Sequence, residues 1–136
     1  MFKRIDHIEI VTRQPQRTID FYTGVLGFRV KGRDRVARSG LGVPMDLVYL
    51  ELGGTMIELI AYEGAAVGDA QSGERLGYRM MALEVDDMPA TLAYLKERGV
   101  EPSWGPITRD NYARAEIRDP EGLHIELRQW FPRASA

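Results

Sequence analysis

Cysteine is absent from the 136 residues of the sequence, and its absence removes several classes of function. Disulfide frameworks, thiolate nucleophiles and zinc–thiolate sites are all excluded. Apolar runs of roughly 20 residues, the length that a membrane-spanning helix needs, are also missing. The first residues, MFKRIDHIEIV, lack the apolar core and small-residue cleavage site of a signal peptide. We therefore expect a cytoplasmic protein that does not bind membranes.

Basic and acidic residues are nearly equal in number. The chain has 18 basic and 20 acidic residues and a net charge of −2, which gives no electrostatic footprint for nucleic acid. Hydrophobic residues make up 44% and charged residues 28% of the chain, values typical of an ordinary globular protein. A nucleic-acid partner is therefore not expected.

One segment, FRVKGRDRVARSG, has a local basic bias. Its alternating basic residues are common on an exposed strand, which is the interpretation that we prefer. The alternative is a docking surface for an anionic substrate tail. The residues concerned are Arg29, Lys31, Arg33, Arg35 and Arg38, with Asp34 as the only acid among them.

Two stretches of the chain repeat one pattern. HIEIVTRQPQRTIDFY (7–22) aligns with MMALEVDDMPATLAYL (80–95). Each begins as a strand, passes through a polar turn and continues as a helix, with Pro15 or Pro89 at an early position where proline is tolerated. Asp87 is the predicted N-cap of the second helix. This internal repeat predicts two similar structural modules.

Each predicted helix is followed by three strands. Gly27 and Gly99 are natural helix ends. LELGGTMIEL predicts a hairpin with Gly53 and Gly54 at its turn, and RDPEGLHIEL predicts another around Gly122. Each half of the chain is therefore predicted to form a strand, a helix and three further strands, in that order.

The repeat predicts an α+β fold made of two βαβββ modules. The first module covers 1–64, a Gly/Ala/Ser-rich linker covers 65–74, and the second module covers 75–136. One helix covers only one face of each sheet, so the other face needs a partner. We expect the two mixed sheets to form a cup around a metal or ligand cavity.

Alternation along the strands predicts which side chains share the uncovered face. In the Ile-Glu-Leu segments 57–59 and 125–127 the aliphatic residues form one face, and the glutamates point to the other. A charge within an apolar strand costs free energy unless it is paired. The two glutamates therefore indicate a functional site on this face. The residues expected on this face are His7, Glu9, Glu58, Met80, His124 and Glu126.

The same motifs resemble a known family. DHIEIVTRQPQRTIDFYTGVLGFRV, MIEL, EVDDMPATLAYLKERGV and RDPEGLHIEL, in this order, are similar to the vicinal oxygen chelate superfamily. That superfamily includes glyoxalase I, extradiol dioxygenases and bleomycin resistance proteins. The resemblance covers nearly the whole chain. It implies paired βαβββ modules, a small-molecule substrate and a homodimer.

The resemblance also implies metal ligands, one from each of four strands. They correspond to His7, Glu58 and Glu126, with Met80 at a position that is commonly histidine. We expect Met80 to pack in the core, since a thioether does not suit a carboxylate-rich site. His124 is a possible replacement ligand, acid/base group or rim residue. The implied cofactor is a divalent ion, namely Mn, Ni, Co, Zn, Fe or Mg.

Three functions follow from the resemblance. The first is a metal-dependent isomerase or lyase acting on a small substrate with two neighbouring oxygens, by proton abstraction and enolate stabilisation. Its catalytic base would be Glu126, Glu9 or His124, although for Glu9 we prefer the interpretation as a solvated rim residue. The second is a metal-free ligand-binding or resistance-type protein. The third is an extradiol-type dioxygenase, which normally uses two histidines and one carboxylate.

Overall fold

The computed structural model describes residues 1–71 and 73–133, and these form two compact units. Unit 1 is Met1–Asp69 and unit 2 is Ala70–Ala136. Unit 1 contains β1 (Ile8–Val11), α1 (Pro15–Asp20), a π-helical segment (Phe21–Val25), β2 (Arg29–Val36), β3 (Met45–Leu52) and β4 (Thr55–Tyr62). Unit 2 contains β5 (Met81–Glu84), α2 (Met88–Glu97), β6 (Trp104–Thr108), β7 (Tyr112–Arg118) and β8 (His124–Trp130).

Each unit holds one four-stranded mixed sheet. The strand orders are β1-β4-β3-β2 and β5-β8-β7-β6. The first strand of each unit runs parallel to the last, and the remaining neighbours are antiparallel. The two units thus share one topology, and the predicted α+β fold of two βαβββ modules is confirmed. The central position of β4 and β8 gives their side chains neighbours on both sides.

The helix of each unit begins and ends as the sequence predicts. Asp87 accepts a hydrogen bond from the Ala90 backbone N–H at 2.9 Å and so caps α2. Proline occupies the first turn of both helices. Gly27 and Gly99, just beyond the helical residues, have φ of 83° and 74°, a left-handed conformation that glycine adopts without a steric penalty.

Both predicted hairpins are present. Gly53 and Gly54 join β3 to β4 with φ of 57° and 81°, the two positive values that a two-residue type I′ turn requires. The turn between β7 and β8 is held by the Asp119 carboxylate, which accepts from the backbone N–H groups of Glu121 and Leu123 at 2.9 Å each. These turns fix the register of the central strands β4 and β8.

Each helix lies on the aliphatic face of its sheet. In unit 2 the Met88 backbone N–H donates to the Gln129 side chain at 2.7 Å, and Gln129 shares the face of Ile125 and Leu127 by alternation. In unit 1 the Thr12 and Thr18 hydroxyls are 2.8 Å apart, which joins the end of β1 to α1. The face opposite each helix therefore carries the acidic residues.

The cores of the units are mainly aliphatic. Burying such side chains is the main favourable term in folding. No helix within the described residues is long and apolar enough to cross a lipid bilayer. The largest buried side chains, each less than 2% exposed, are Tyr22, Leu50, Leu59, Ile117, Ile125, Leu127 and Thr18.

Gly105 in β6 provides a test of this packing. A Cβ at Gly105 would lie 3.0 Å from the Arg114 backbone oxygen and 3.2 Å from the Ala115 Cα, and its φ is +77°. Gly105→Ala should therefore lower the free energy of unfolding by about 1–3 kcal/mol. Urea unfolding followed by circular dichroism measures the change.

Gly24→Ala is the matched control, because a Cβ at Gly24 meets nothing within 4 Å. It should change stability by less than about 1 kcal/mol, in the stabilising direction. Equal urea midpoints for the two variants would contradict the described close approach of β6 and β7.

Candidate functional site

Glu58 is the buried acid at the centre of the sheet in unit 1. Its side chain is only 10% exposed, and its register neighbours are Glu9 on β1 and Tyr49 on β3. A buried carboxylate is costly unless another group compensates its charge. Another group is therefore expected to compensate the negative charge of Glu58.

His7 is one group that contacts the Glu58 carboxylate. It lies one residue before β1, and its Nε2 is 3.3 Å from Glu58 Oε2 and 3.7 Å from Glu9 Oε1. Its Nδ1 is 2.9 Å from a carboxylate oxygen of Asp6. Sequence reasoning did not single out Asp6. The arrangement in which a carboxylate holds one ring nitrogen of a histidine is common where the other nitrogen binds a metal.

The charges around His7 shift its protonation. The hydrogen bond to Asp6 raises the pKa of His7, and the negative charge of Glu58 acts in the same direction. The same hydrogen bond lowers the pKa of Asp6. A positive charge is therefore stabilised at this place, either as a proton on the imidazole or as a bound cation.

His7, Glu9 and Glu58 fit a divalent cation. One ligand atom from each lies within 4.8 Å of the others. If Nδ1–H donates to Asp6, Nε2 presents a lone pair to two carboxylates, so all three groups are acceptors. One imidazole and two carboxylates suit Mn, Fe, Co, Ni, Zn or Mg. His7 and Glu58 are ligands that the sequence predicts, and Glu9 lies beside them.

Glu126 occupies the equivalent central position in unit 2 and has different partners. Its register neighbour on β7 is Glu116. Arg114 Nε lies 2.9 Å from Glu126 Oε2, and Arg128 Nε donates to Oε1 at 2.6 Å. The Glu126 side chain is 13% exposed. Two guanidinium groups thus compensate the charge of this predicted ligand.

Glu116 extends this arrangement into a network. Arg114 Nη2 donates to Glu116 Oε1 at 2.6 Å, so Arg114 contacts the carboxylates of both Glu116 and Glu126. Arg79 Nη1 lies 3.8 Å from Glu116 Oε1. Sequence reasoning missed Glu116, although the strict alternation of YARAEIR places it on the same face as Arg114.

The two remaining candidates also lie in unit 2. His124 Nδ1 is 3.6 Å from Glu116 Oε2, and it has no hydrogen-bond partner among the described residues. Met80 lies one residue before β5, with its sulfur 4.0 Å from Arg79 Nη1. The structure thus groups His7, Glu9 and Glu58 in unit 1, and it places His124 beside the carboxylates of unit 2.

The basic segment of β2 is largely paired with acids. Arg29 and Lys31 lie 2.9 and 3.5 Å from Glu51. Arg35 lies 2.7 Å from Asp46 and also contacts Glu63. These exposed pairs favour the ordinary exposed strand over a docking surface for an anionic tail.

Comparison with known proteins assigns the chain to a family. A model of the Glyoxalase/Bleomycin resistance protein/Dioxygenase superfamily matches residues 4–127. The chain therefore belongs to this superfamily, as the sequence motifs predict. A search of curated proteins found none that matches.

Solved structures show the same fold. A glyoxalase family protein from Bacillus cereus has a TM-score of 0.83 and 23% identity, with 97% of each chain covered. The trypanothione-dependent glyoxalase I of Leishmania major has a TM-score of 0.72 and 25% identity, covering 93% of this chain and 86% of that chain. An antibiotic-binding protein from a Streptomyces species has a TM-score of 0.72 and 22% identity, covering 96% of this chain and 98% of that chain.

Thermal stability tests the cation fit directly. A ligand at about 100 times its dissociation constant stabilises the folded state by about 2.7 kcal/mol. Saturating Mn²⁺, Co²⁺, Ni²⁺ or Zn²⁺ should therefore raise the melting temperature of EDTA-treated protein, and His7→Ala and Glu58→Gln should abolish the rise. Differential scanning fluorimetry measures it.

Two further variants sharpen the test. Glu101→Gln removes an exposed carboxylate outside the cluster and should keep the full metal response. Glu126→Gln decides whether Glu126 is also a ligand, since a ligand loss should weaken metal affinity by about tenfold or more. A wild-type melting temperature indifferent to both EDTA and excess metal would end the metal hypothesis.

Proposed function

We propose that the protein is a divalent-metal-dependent, glyoxalase-like isomerase or lyase acting on a small substrate with two neighbouring oxygens. The observation that carries this proposal is the approach of His7 Nε2 to the carboxylates of Glu9 and Glu58. The superfamily is one whose members typically bind small molecules and a divalent metal. The chemistry of the donor set agrees with that cofactor.

His7 and Glu58 are the residues that would hold the ion. When bound, a divalent ion supplies Lewis acidity that polarises a carbonyl oxygen and favours enolate formation. Asp6 orients the imidazole ring of His7 through Nδ1. The backbone register holds Glu58 and Glu9 side by side on neighbouring parallel strands.

Glu9 is the proton acceptor that we favour. Its side chain is 62% exposed, compared with 10% for Glu58, so a substrate can reach it. It would remove a proton from the carbon next to the carbonyl. Returning that proton to the neighbouring carbon gives an isomerase, and loss of a leaving group gives a lyase. Glu126 and His124 are the alternative bases, although Glu126 already accepts from arginine.

A second function is favoured by the surroundings of Glu126. Because Arg114 and Arg128 compensate its charge, this part of the molecule needs no metal. A metal-free ligand-binding or resistance-type protein would use the fold in this way. An extradiol-type dioxygenase is a further alternative, but it would need His124 as the second histidine ligand.

Proton exchange in D₂O tests the proposed reaction. Metal-loaded protein should catalyse deuterium incorporation next to the carbonyl of a 2-hydroxycarbonyl probe, such as the hemithioacetal of methylglyoxal and a thiol. Proton NMR measures the rate. Glu9→Gln should lower it by about 100-fold, the usual contribution of general-base catalysis, while metal affinity changes less.

The matched control is again Glu101→Gln, which should leave the exchange rate unchanged. Exchange that is equally fast with EDTA-treated protein would contradict metal dependence. If the metal binds but no carbonyl probe in a broad panel exchanges, the isomerase and lyase proposal is wrong and the ligand-binding function takes its place.

We also propose a homodimer. Within the part of the chain that the structure describes, each sheet has edge strands that pair on one side only, and proteins usually cover such edges. On the edge strand β1, Ile8 is 46% and Val11 is 37% exposed. Multi-angle light scattering at micromolar concentration should return twice the chain mass. A monomer mass would contradict the dimer, and Ile8→Lys should shift a true dimer that uses β1 towards monomer.

A further inference from the structure

Unit 2 carries a band of arginine and aromatic side chains on the sheet face opposite α2. Arg114 and Arg128 are register partners on β7 and β8. The Arg114 guanidinium lies 4.9 Å from the ring centre of Trp104. The Arg128 guanidinium lies 4.3 and 4.8 Å from the ring centres of Tyr112 and Trp130. Two neighbouring cations are thus flanked by aromatic rings on both sides.

Two carboxylates hold the arginines of the band in place. Its carboxylates are deeper than its guanidinium groups, because the side chains of Glu116 and Glu126 are 8% and 13% exposed while those of Arg114 and Arg128 are 18% and 22% exposed. Arg128 directs both its Nε and its Nη2 to one oxygen of Glu126. A guanidinium has five N–H donors, so donors remain for a further anionic group.

The aromatic side chains are accessible. Trp104 is 42% and Trp130 is 56% exposed, which is unusual for a residue with so much apolar surface. The flat faces of tryptophan and tyrosine accept planar groups, and a neighbouring arginine fixes the ring orientation. The face therefore offers stacking surface next to guanidinium N–H donors.

Unit 1 shows that the fold does not require this band. The register pair that corresponds to Arg114 and Arg128 is Leu47 and Ile60, each two positions along its strand from the pair that includes Glu58. Leu47 and Ile60 are buried and apolar. Well-packed apolar residues stabilise a protein at least as well as a buried ion-pair network. The charged version in unit 2 is therefore not explained by stability.

We propose that this band is a binding site for a planar aromatic carboxylate. The carboxylate would accept from Arg114 and Arg128, and the ring would stack on Trp104 or Trp130. All of its residues lie in unit 2, and the proposal rests on the second function above, that of a metal-free ligand-binding protein. Aromatic carboxylates combine the two features that the band recognises, a flat apolar body and one anionic end.

The chain offers a specific reporter, because its two tryptophans are both in the band. Titrating ¹⁵N-labelled protein with 2-naphthoate in EDTA should shift both indole N–H signals, with a dissociation constant of about 1 mM or tighter. The uncharged isostere 2-naphthamide should bind about tenfold more weakly, because it lacks the charge that arginine recognises. Acetate should bind about tenfold more weakly as well, because it lacks the ring.

Variants separate the contribution of the arginines to binding from that of the aromatic rings. Arg128→Met removes the charge and should weaken 2-naphthoate binding by about tenfold. Trp130→Leu keeps every charge and should weaken it by about fivefold or more, with Trp104 as the remaining reporter. Arg128→Lys keeps the charge over Glu126 and controls for destabilisation; losing the planar fork should still weaken binding by about threefold. Arg33→Gln removes an exposed arginine from β2 in unit 1 and should change nothing.

Equal affinity for 2-naphthoate and 2-naphthamide would overturn the proposal, since it would mean that the rings bind any flat apolar molecule. Unshifted indole signals would overturn it as well. Because the titration contains EDTA, its outcome is independent of the metal site. A failure of the metal-dependent function would leave the 2-naphthoate result unchanged, and the reverse also holds.

Discussion

The negative charge of one glutamate on the central strand of each sheet determines which side chains surround it. Glu58 and Glu126 lie between two neighbouring strands and are almost covered. An isolated charge in such a place would be neutralised by a proton or would destabilise the strand. The side chains around each glutamate can therefore be understood as two different means of compensating one negative charge.

The two means have different chemical consequences. In unit 1 the partners of Glu58 are an imidazole and a second carboxylate, which still leave negative charge and free lone pairs. A divalent cation would complete that set. In unit 2 the partners of Glu126 are two guanidinium groups, which need no added cation. One topology thus carries a donor set suited to a divalent cation in one unit and an arginine network in the other.

Much of the fold could be predicted from the sequence. Alternation in the Ile-Glu-Leu segments showed that both glutamates lie opposite the aliphatic face, and the paired glycines Gly53 and Gly54 showed the first hairpin. These signals are local, since a period of two or a turn depends only on neighbouring residues. Because of the internal repeat, the same order of strands and helix could be predicted for both units.

The partners of the glutamates were harder to predict because they depend on register between strands. Arg114 and Glu116 lie within 12 residues of Glu126, but only the length of the β7–β8 turn decides which of them faces it. Asp6 is adjacent to His7, yet its contact with Nδ1 depends on the rotamers of both side chains. The strand predicted from residue 7 is present as β1, although it begins one residue later, at Ile8.

X-ray diffraction from a zinc-soaked crystal, with anomalous data collected at the zinc edge, locates a bound cation directly. If His7 and Glu58 hold the cation, one strong anomalous peak should lie about 2.0–2.2 Å from His7 Nε2 and from a Glu58 carboxylate oxygen. The guanidinium groups of Arg114 and Arg128 should remain on Glu126. A crystal at neutral pH with no peak at His7 and Glu58 would contradict a cation site in unit 1.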